Sequence, residues 1–213
     1  MGALDRIICL AVGYVFGCFQ SAYIFGRLFK NIDIRKHGSG NAGMANATRV
    51  MGTKYGALVF FADVLKAVIA YLVCSFIFHG DGTFTNGANG VLPGLYAGFG
   101  VVLGHNFPAF LKFRGGKGIA ASVGVILMFD FRAALIIFVI GGAAILLTRY
   151  VSLGSLMITF LFPVFALVFG YGAEVAIVCA AYTVLTYFMH RENIKRLLAG
   201  SERKFTLFTK GKL

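Results

Sequence analysis

The sequence predicts an all-α, polytopic membrane helical bundle. Three observations carry that prediction: extreme apolarity, apolar runs near spanning length, and basic residues gathered between alternate runs. Of the 213 residues, 59% are hydrophobic and the mean hydropathy is +0.83, against roughly 45–50% apolar residues in an ordinary soluble domain. The formal charge of +12 arises from 20 Lys and Arg against 8 Asp and Glu. In so apolar a chain those charges must gather in loops that meet water, where they suit anionic headgroups or phosphorylated substrates. With no separate soluble stretch to hold one, a nucleic-acid partner is not expected. Cys9, Cys18, Cys74 and Cys179 are scattered through apolar stretches without CxxC spacing, so neither a disulfide framework nor a metal site is implied.

A helix crosses the hydrocarbon core in about 20 residues, fewer where protein shields it. Seven runs qualify: Ile7–Phe25, Tyr55–Phe78, Val91–Leu111, Ile119–Met128, Ala133–Leu147, Leu153–Phe169 and Val175–Met189. The first is read as a span and not as a cleaved signal, because Asp5 stands beside Arg6 and later runs are equally apolar. The fourth and fifth are short, and Gly118–Thr148 also reads as one long tilted helix. Charge decides between these readings. With seven spans and the N-terminus outside, the inner segments hold Arg27, Lys30, Arg35, Lys36, Arg49 and Lys54, then Lys112, Arg114 and Lys117, then Arg149, then the basic residues after His190. The outer segments keep only Arg6 and Arg132, the asymmetry that the positive-inside rule demands. The C-terminus is then cytoplasmic. Gly80–Gly90, rich in Gly and Asn, reads as an outer turn. No repeat or linker divides the chain, so residues 1–213 are read as one domain.

The seven-span arrangement brings three polar segments to one face. The first, Gly38-Ser39-Gly40-Asn41-Ala42-Gly43-Met44-Ala45-Asn46-Ala47-Thr48-Arg49, has glycines that let backbone N–H groups turn inward, with Ser39 or Asn41 placed to cap the helix that follows. Asn46 and Arg49, three apart on that helix, share a face and can clamp a phosphate. The second joins Gly104-His105-Asn106-Phe107-Pro108 to Lys112-Phe113-Arg114-Gly115-Gly116-Lys117-Gly118, again glycines plus a cation at a helix start. It lacks GxxxxGK[ST] spacing, so it is no P-loop. Lys112 and Arg114 read as membrane-face anchors, and Lys117, among three glycines, as a ligand contact. The third, His190-Arg191-Glu192-Asn193-Ile194-Lys195-Arg196-Leu197-Leu198-Ala199-Gly200-Ser201-Glu202, is a helix leaving the membrane, with Gly200 suited to the position after it. His190 and Asn193 share a face there. Arg191, Lys195 and Arg196 are also explained by binding of anionic lipid.

Asp63 and Lys66, three apart inside the second span, are expected to pair across a helical turn. Ser152 and Ser155 open the sixth span as capping or packing residues, with Ser155 also able to reach a substrate. No histidine is followed by an Asp five residues later, and HExxH and GxSxG are absent. An enzyme so equipped lacks a carboxylate-backed histidine and must let its substrate help. A small transporter for an anionic solute and a noncatalytic lipid-binding scaffold remain compatible with these features alone.

In order, GSGNAGMANATR, GHNFPAFLKFRGGKGIAAS and HRENIKRLLAGSE resemble the motifs of the acyl-phosphate:glycerol-3-phosphate acyltransferases, the PlsY-type bacterial membrane enzymes. The likeness spans nearly the whole chain, with Ala45 and Ala121 standing where that family usually has Thr, or Thr or Ser. It implies transfer of an acyl chain from acyl phosphate, and not directly from acyl-CoA or acyl carrier protein, to the 1-hydroxyl of glycerol 3-phosphate. Lysophosphatidic acid and inorganic phosphate would be the products, formed in phospholipid synthesis at the cytoplasmic face of a bacterial inner membrane. By motif position, Ser39, Gly40, Asn41 and Gly43 would cradle the acyl phosphate. Arg49, Lys117, Ser155, His190 and Asn193 would hold glycerol 3-phosphate, and Gly38, Asn46, Gly115, Gly116 and Gly118 are expected to bind substrate with them. Catalytic roles fall to Ser39, Arg49, Lys117, His190 and Asn193. His190 would orient substrate or stabilise developing charge. No cofactor, metal or obligatory protein partner is implied beyond membrane lipids.

Overall fold

The computed structural model describes residues 1–79 and 88–206. Ten α-helices fill them: α1 (Ala3–Cys18), α2 (Ser21–Lys30), α3 (Met44–Met51), α4 (Thr53–His79), α5 (Ala88–Asn106), α6 (Ile119–Phe129), α7 (Phe131–Thr148), α8 (Val151–Val168), α9 (Ala173–Met189) and α10 (Arg191–Leu198). Of the outer turn expected at Gly80–Gly90, residues 80–87 lie outside the described residues and 88–90 open α5.

All seven apolar runs lie on helices, with different boundaries. The first is broken at Phe19–Gln20, where the backbone leaves helical geometry between α1 and α2. Broken helices expose carbonyls, which at membrane depth need internal donors. Gln20 Nε2 donates to Gly17, Gly104 and His105 carbonyls at 3.2, 3.4 and 3.0 Å, and Lys66 Nζ to Phe19 and Gly17 carbonyls at 2.7 and 3.3 Å. The expected Asp63–Lys66 pair is present at 2.8 Å, with both side chains buried. Its ammonium thus serves the carbonyl end of α1, where the helix dipole is negative.

The single long helix over Gly118–Thr148 does not form, because Asp130 stops α6 and starts α7. Its carboxylate accepts the Arg132 and Ala133 amides at 2.8 and 3.2 Å and the Tyr171 hydroxyl at 2.8 Å. Among the described helices, Ala3–Lys30, Thr53–Phe78, Phe131–Thr148 and Val151–Val168 are long and apolar enough to cross a membrane; α9 with α10, bent by 65°, makes a fifth candidate. Many large apolar side chains, among them Val15, Phe61, Leu146, Leu167 and Val184, face outward, as a bilayer permits.

Small residues bring α1 against α5. A Cβ on Gly13 would lie 1.8 Å from the Ala97 carbonyl oxygen, an approach only glycine allows between membrane helices. The main core joins α4, α5, α6, α8 and α9 around Tyr71, Leu95, Ile126, Phe129, Phe162 and Tyr182. Phe162 packs edge-on against Phe129 and Tyr182 at 5.3 and 5.5 Å, geometry that adds to burial alone. Arg6 grips Glu174 through two bonds of 2.7 and 2.9 Å, and Tyr96 donates to Glu174 at 3.0 Å, tying α1, α5 and α9. At the opposite end of these helices the three polar segments meet.

Candidate active site

A cavity of about 700 Å³ is lined by all three segments. Ser39, Gly40, Asn41, Gly43, Asn46 and Arg49 border it from the first, Gly115 through Gly118 from the second, and His190 and Asn193 from the third, with Ser155 from α8. Gly38 is the exception among the expected site residues. It adopts φ +63°, and a Cβ there would lie 2.2 Å from Asn46 Oδ1, so it forms the turn behind the cavity wall.

The first loop is held by Asn46. Its Oδ1 accepts the Ser39 amide at 2.8 Å, while its Nδ2 donates to the Ile34 and His37 carbonyls at 3.2 and 3.0 Å. An amide so occupied has no donor left for substrate, which corrects the expected Asn46–Arg49 clamp: Asn46 shapes the loop and Arg49 faces the cavity. The expected capping also fails. Two left-handed turns at Gly38 and Gly40 carry the chain so that Gly43 immediately precedes α3, with no side-chain cap from Ser39 or Asn41. The start of α3 therefore presents its amide end to the cavity at Gly43, Met44 and Ala45. Of the two departures from the family pattern, Ala45 borders the cavity and Ala121 is buried away from it.

The second loop doubles back on the end of α5. The Gly115 and Gly116 amides donate to the Asn106 and His105 carbonyls at 3.2 and 2.9 Å. Lys112 and Phe113 are both left-handed, and Gly118, φ +74°, immediately precedes α6. The Ala42 amide reaches the Gly115 carbonyl at 3.4 Å and joins the two loops. Lys117 Nζ donates to Asn193 Oδ1. Burial of the ammonium, aided by Arg196 and Arg191, lowers its pKa to about 8. Burial and Arg203 likewise depress Arg49, whose guanidinium nevertheless stays charged.

The third segment bends by 65° between α9 and α10, and His190 and Asn193 line the cavity there. His190 Nδ1 lies 2.9 Å from the Thr186 carbonyl. A carbonyl only accepts, so Nδ1 carries the proton and Nε2 is an acceptor. Burial, followed by the Lys117 charge, pulls its pKa down to about 4. Of the two expected roles, such an imidazole can orient a hydroxyl; it has no second N–H with which to stabilise a developing oxyanion. Ser155 Oγ donates back to the Val151 carbonyl at 2.8 Å, leaving only acceptor capacity.

Glu202 was not expected in the site. Its carboxylate gathers Asn193 Nδ2, Arg196 Nε and Ser152 Oγ at 2.7, 2.8 and 3.0 Å, and these bonds hold its pKa down against burial. The available signal was its place at the end of the third segment, nine residues after Asn193. His105 and Asp63 also line the cavity.

Fold and site together define an integral membrane protein whose bundle gathers backbone amides and cations around one cavity. A profile described as Glycerol-3-phosphate acyltransferase matches residues 7–200. The chain belongs to that family and is an acyltransferase of phospholipid synthesis. It is similar to the glycerol-3-phosphate acyltransferase of Thermoanaerobacter sp. (strain X514), 44% identical over 198 residues that cover 93% of this chain and 94% of the relative. The Aquifex aeolicus (strain VF5) enzyme of that name is 38% identical over 205 residues, covering 95% and 100%. The crystal structure of PlsY (YgiH), an integral membrane glycerol 3-phosphate acyltransferase, in its glycerol 3-phosphate form superposes with a TM-score of 0.82 at 35% identity, over 94% of this chain and 96% of that one. Its lysophosphatidic acid form gives 0.79 at 34% identity, over 95% and 96%.

Proposed function

We propose that this chain moves a fatty acyl group from acyl phosphate to the 1-hydroxyl of glycerol 3-phosphate, giving lysophosphatidic acid and inorganic phosphate. The observation that carries the reading is that two glycine loops, Arg49 and Lys117 line one cavity that also has apolar walls at Phe60, Ile119 and Phe188. Two phosphorylated molecules and the start of an acyl chain fit that chemistry, and the relative's two liganded forms support it. Ser39, Gly40, Asn41 and Gly43 cradle the acyl phosphate. Arg49, Lys117 and Asn193 hold glycerol 3-phosphate with Ser155, and His190 Nε2 accepts from its 1-hydroxyl. Attack of that oxygen on the acyl carbon forms the ester as the acyl–phosphate bond breaks, the hydroxyl turning its single proton from His190 Nε2 to a phosphate oxygen, which takes it. An acyl phosphate is already activated, so positioning and electrostatics supply most of the acceleration.

The reading includes one domain over residues 1–213, seven crossings, an outer N-terminus and a cytoplasmic site in a bacterial inner membrane. The basic residues between alternate helices support it. At 11 residues α6 rises only ~16 Å, and its largely buried surface suits a crossing shielded by its neighbours.

Protein reconstituted in lipid nanodiscs is given glycerol 3-phosphate with acyl phosphate, acyl-CoA or acylated carrier protein. Phosphate release matched mole for mole by lysophosphatidic acid is expected with acyl phosphate alone. Transfer from a thioester, or no release from acyl phosphate, overturns the donor assignment. A phosphate oxygen titrating near pH ~6 should leave the acid limb of the rate profile in place in His190→Ala, and its loss would assign the base to the protein.

A further inference from the structure

The buried cluster beneath the second loop has a chemical asymmetry that helix capping leaves unexplained. Lys66 Nζ has three N–H donors. Asp63 Oδ1 at 2.8 Å and the Phe19 and Gly17 carbonyls at 2.7 and 3.3 Å already match them. Asp63 also accepts the Ser21 hydroxyl at 2.9 Å. Yet a fourth group, His105 Nδ1, stands 2.9 Å from the same ammonium. Four acceptors thus compete for three N–H donors, and the longest contact, to the Gly17 carbonyl at 3.3 Å, is the one that yields to the imidazole.

The contact fixes the imidazole. An ammonium cannot accept, so Nδ1 must offer its lone pair; a proton on Nδ1 would point at the Lys66 protons. Asp63 Oδ1, the other group facing Nδ1, is farther, at 3.5 Å. The ring proton accordingly belongs on Nε2, the opposite tautomer to His190. Nε2 faces the loop: a Cβ on Gly116 would lie 2.0 Å from it and 2.9 Å from the Ala42 carbonyl oxygen. That is the seam where the two loops are joined by the Ala42–Gly115 bond, and His105 borders the cavity there.

We propose that the membrane-buried Asp63–Lys66 pair locks His105 as its Nε2–H tautomer and that this N–H donates to the phosphoryl oxygens of the acyl donor held across the seam. His105 is then a substrate contact on the floor of the site, and Lys66 and Asp63 are positioning residues acting through it. The ligand assignment rests on the proposed acyl phosphate reading; the tautomer does not.

Two measurements test the two parts. Nitrogen-15 spectra of the histidine-labelled protein in nanodiscs, assigned by replacing His37, His79 and His190 in turn, report which His105 nitrogen is protonated. A protonated Nε2 with bare Nδ1 is expected, and a protonated Nδ1 or an imidazolium overturns the lock. The spectrum does not depend on which donor serves, so a wrong donor and a wrong tautomer are told apart. For the contact, His105→Asn keeps an acceptor toward Lys66 and removes the donor at the Nε2 position, whereas His105→Gln puts an amide N–H near it. Loss of a hydrogen bond to a charged group predicts an acyl phosphate KM raised about tenfold or more in His105→Asn. In that variant the glycerol 3-phosphate KM should stay within about twofold, with most of the loss recovered in His105→Gln. Equal effects of the two variants, or equal effects on both KM values, would mean that His105 only packs the loop.

Discussion

Replacing Gly116 by Ala tests the geometry of the second loop most directly. The new Cβ would lie 2.0 Å from His105 Nε2, 2.8 Å from Cδ2 and 2.9 Å from the Ala42 carbonyl oxygen, where ordinary contacts need about 3.5–4.0 Å. The histidine cannot recede, because it is 3% exposed, braced by Lys66 and bonded through its own carbonyl to the Gly116 amide. The loop must lift instead, by about 1 Å or more, and Lys117 lifts with it. Overpacking of this kind costs about 1–3 kcal/mol of stability, and a displacement of ~1 Å at a positioning group costs about 100-fold in rate. We therefore expect kcat/KM for glycerol 3-phosphate to fall about 100-fold, or ~2.7 kcal/mol. Initial rates of acyl transfer measure the first effect. Thermal release of the buried Cys9, Cys74 and Cys179 to a thiol-reactive dye measures the second. Gly142→Ala is the control, since its Cβ meets nothing within 4 Å in the interior of α7. It should keep full activity with equal or higher melting temperature. A Gly116→Ala enzyme within twofold of the parent would refute the claim that the loop is pressed against His105.

Lys117, with its pKa lowered to about 8, is largely neutral at pH 9 in the free protein, and a bound phosphate dianion restores its charge. Calorimetry in buffers of different ionisation enthalpy should therefore detect proton uptake by the protein on glycerol 3-phosphate binding at pH 9, fading toward pH 7, and Lys117→Met should abolish it. Asn46→Ala leaves the Ser39 amide without its acceptor and takes one of two donors from each of the Ile34 and His37 carbonyls, which keep the His37 and Gly40 amides. At about 1–3 kcal/mol per unsatisfied group, it should lower the melting temperature and raise the acyl phosphate KM while sparing that of glycerol 3-phosphate. Asp130 titrates near 2 in the folded protein because the Arg132 and Tyr171 side chains and two backbone amides favour its carboxylate over the burial that opposes it. A depressed carboxyl pKa contributes stability above about pH 4 that is lost as pH falls toward 2, so Asp130→Asn should flatten the melting temperature over that window while lowering it at pH 7.

The helical class and the convergence of three segments were legible because both depend on patterns that local sequence carries: apolar runs, glycine-plus-cation loops and alternate basic stretches. What side chains do inside the loops was less legible. Asn46 and Arg49 are three apart and do lie on α3, but spacing could not say that the loop preceding the helix would claim Asn46 for its own amide and carbonyls. Gly38 and Gly40 look equivalent as letters, yet only Gly40 borders the cavity. The break at Phe19–Gln20 falls inside a run long enough to be read as one span, and what stabilises it, Lys66 and Gln20, is a long-range arrangement. Glu202 reads as one charge in a basic tail until the bend between α9 and α10 swings it toward Ser152.

That reach of Glu202 bears on how the protein matures. Every described helix precedes residue 202, so an insertion apparatus can deliver the whole hydrophobic bundle before the carboxylate that secures Asn193 and Arg196 has emerged from the ribosome. A polypeptide terminated after Leu198 should enter the bilayer and escape disposal as a misassembled product, yet leave Arg196 without its carboxylate and Asn193 tethered to Lys117 alone. Premature stops in this stretch would yield stable, inert occupants of the membrane.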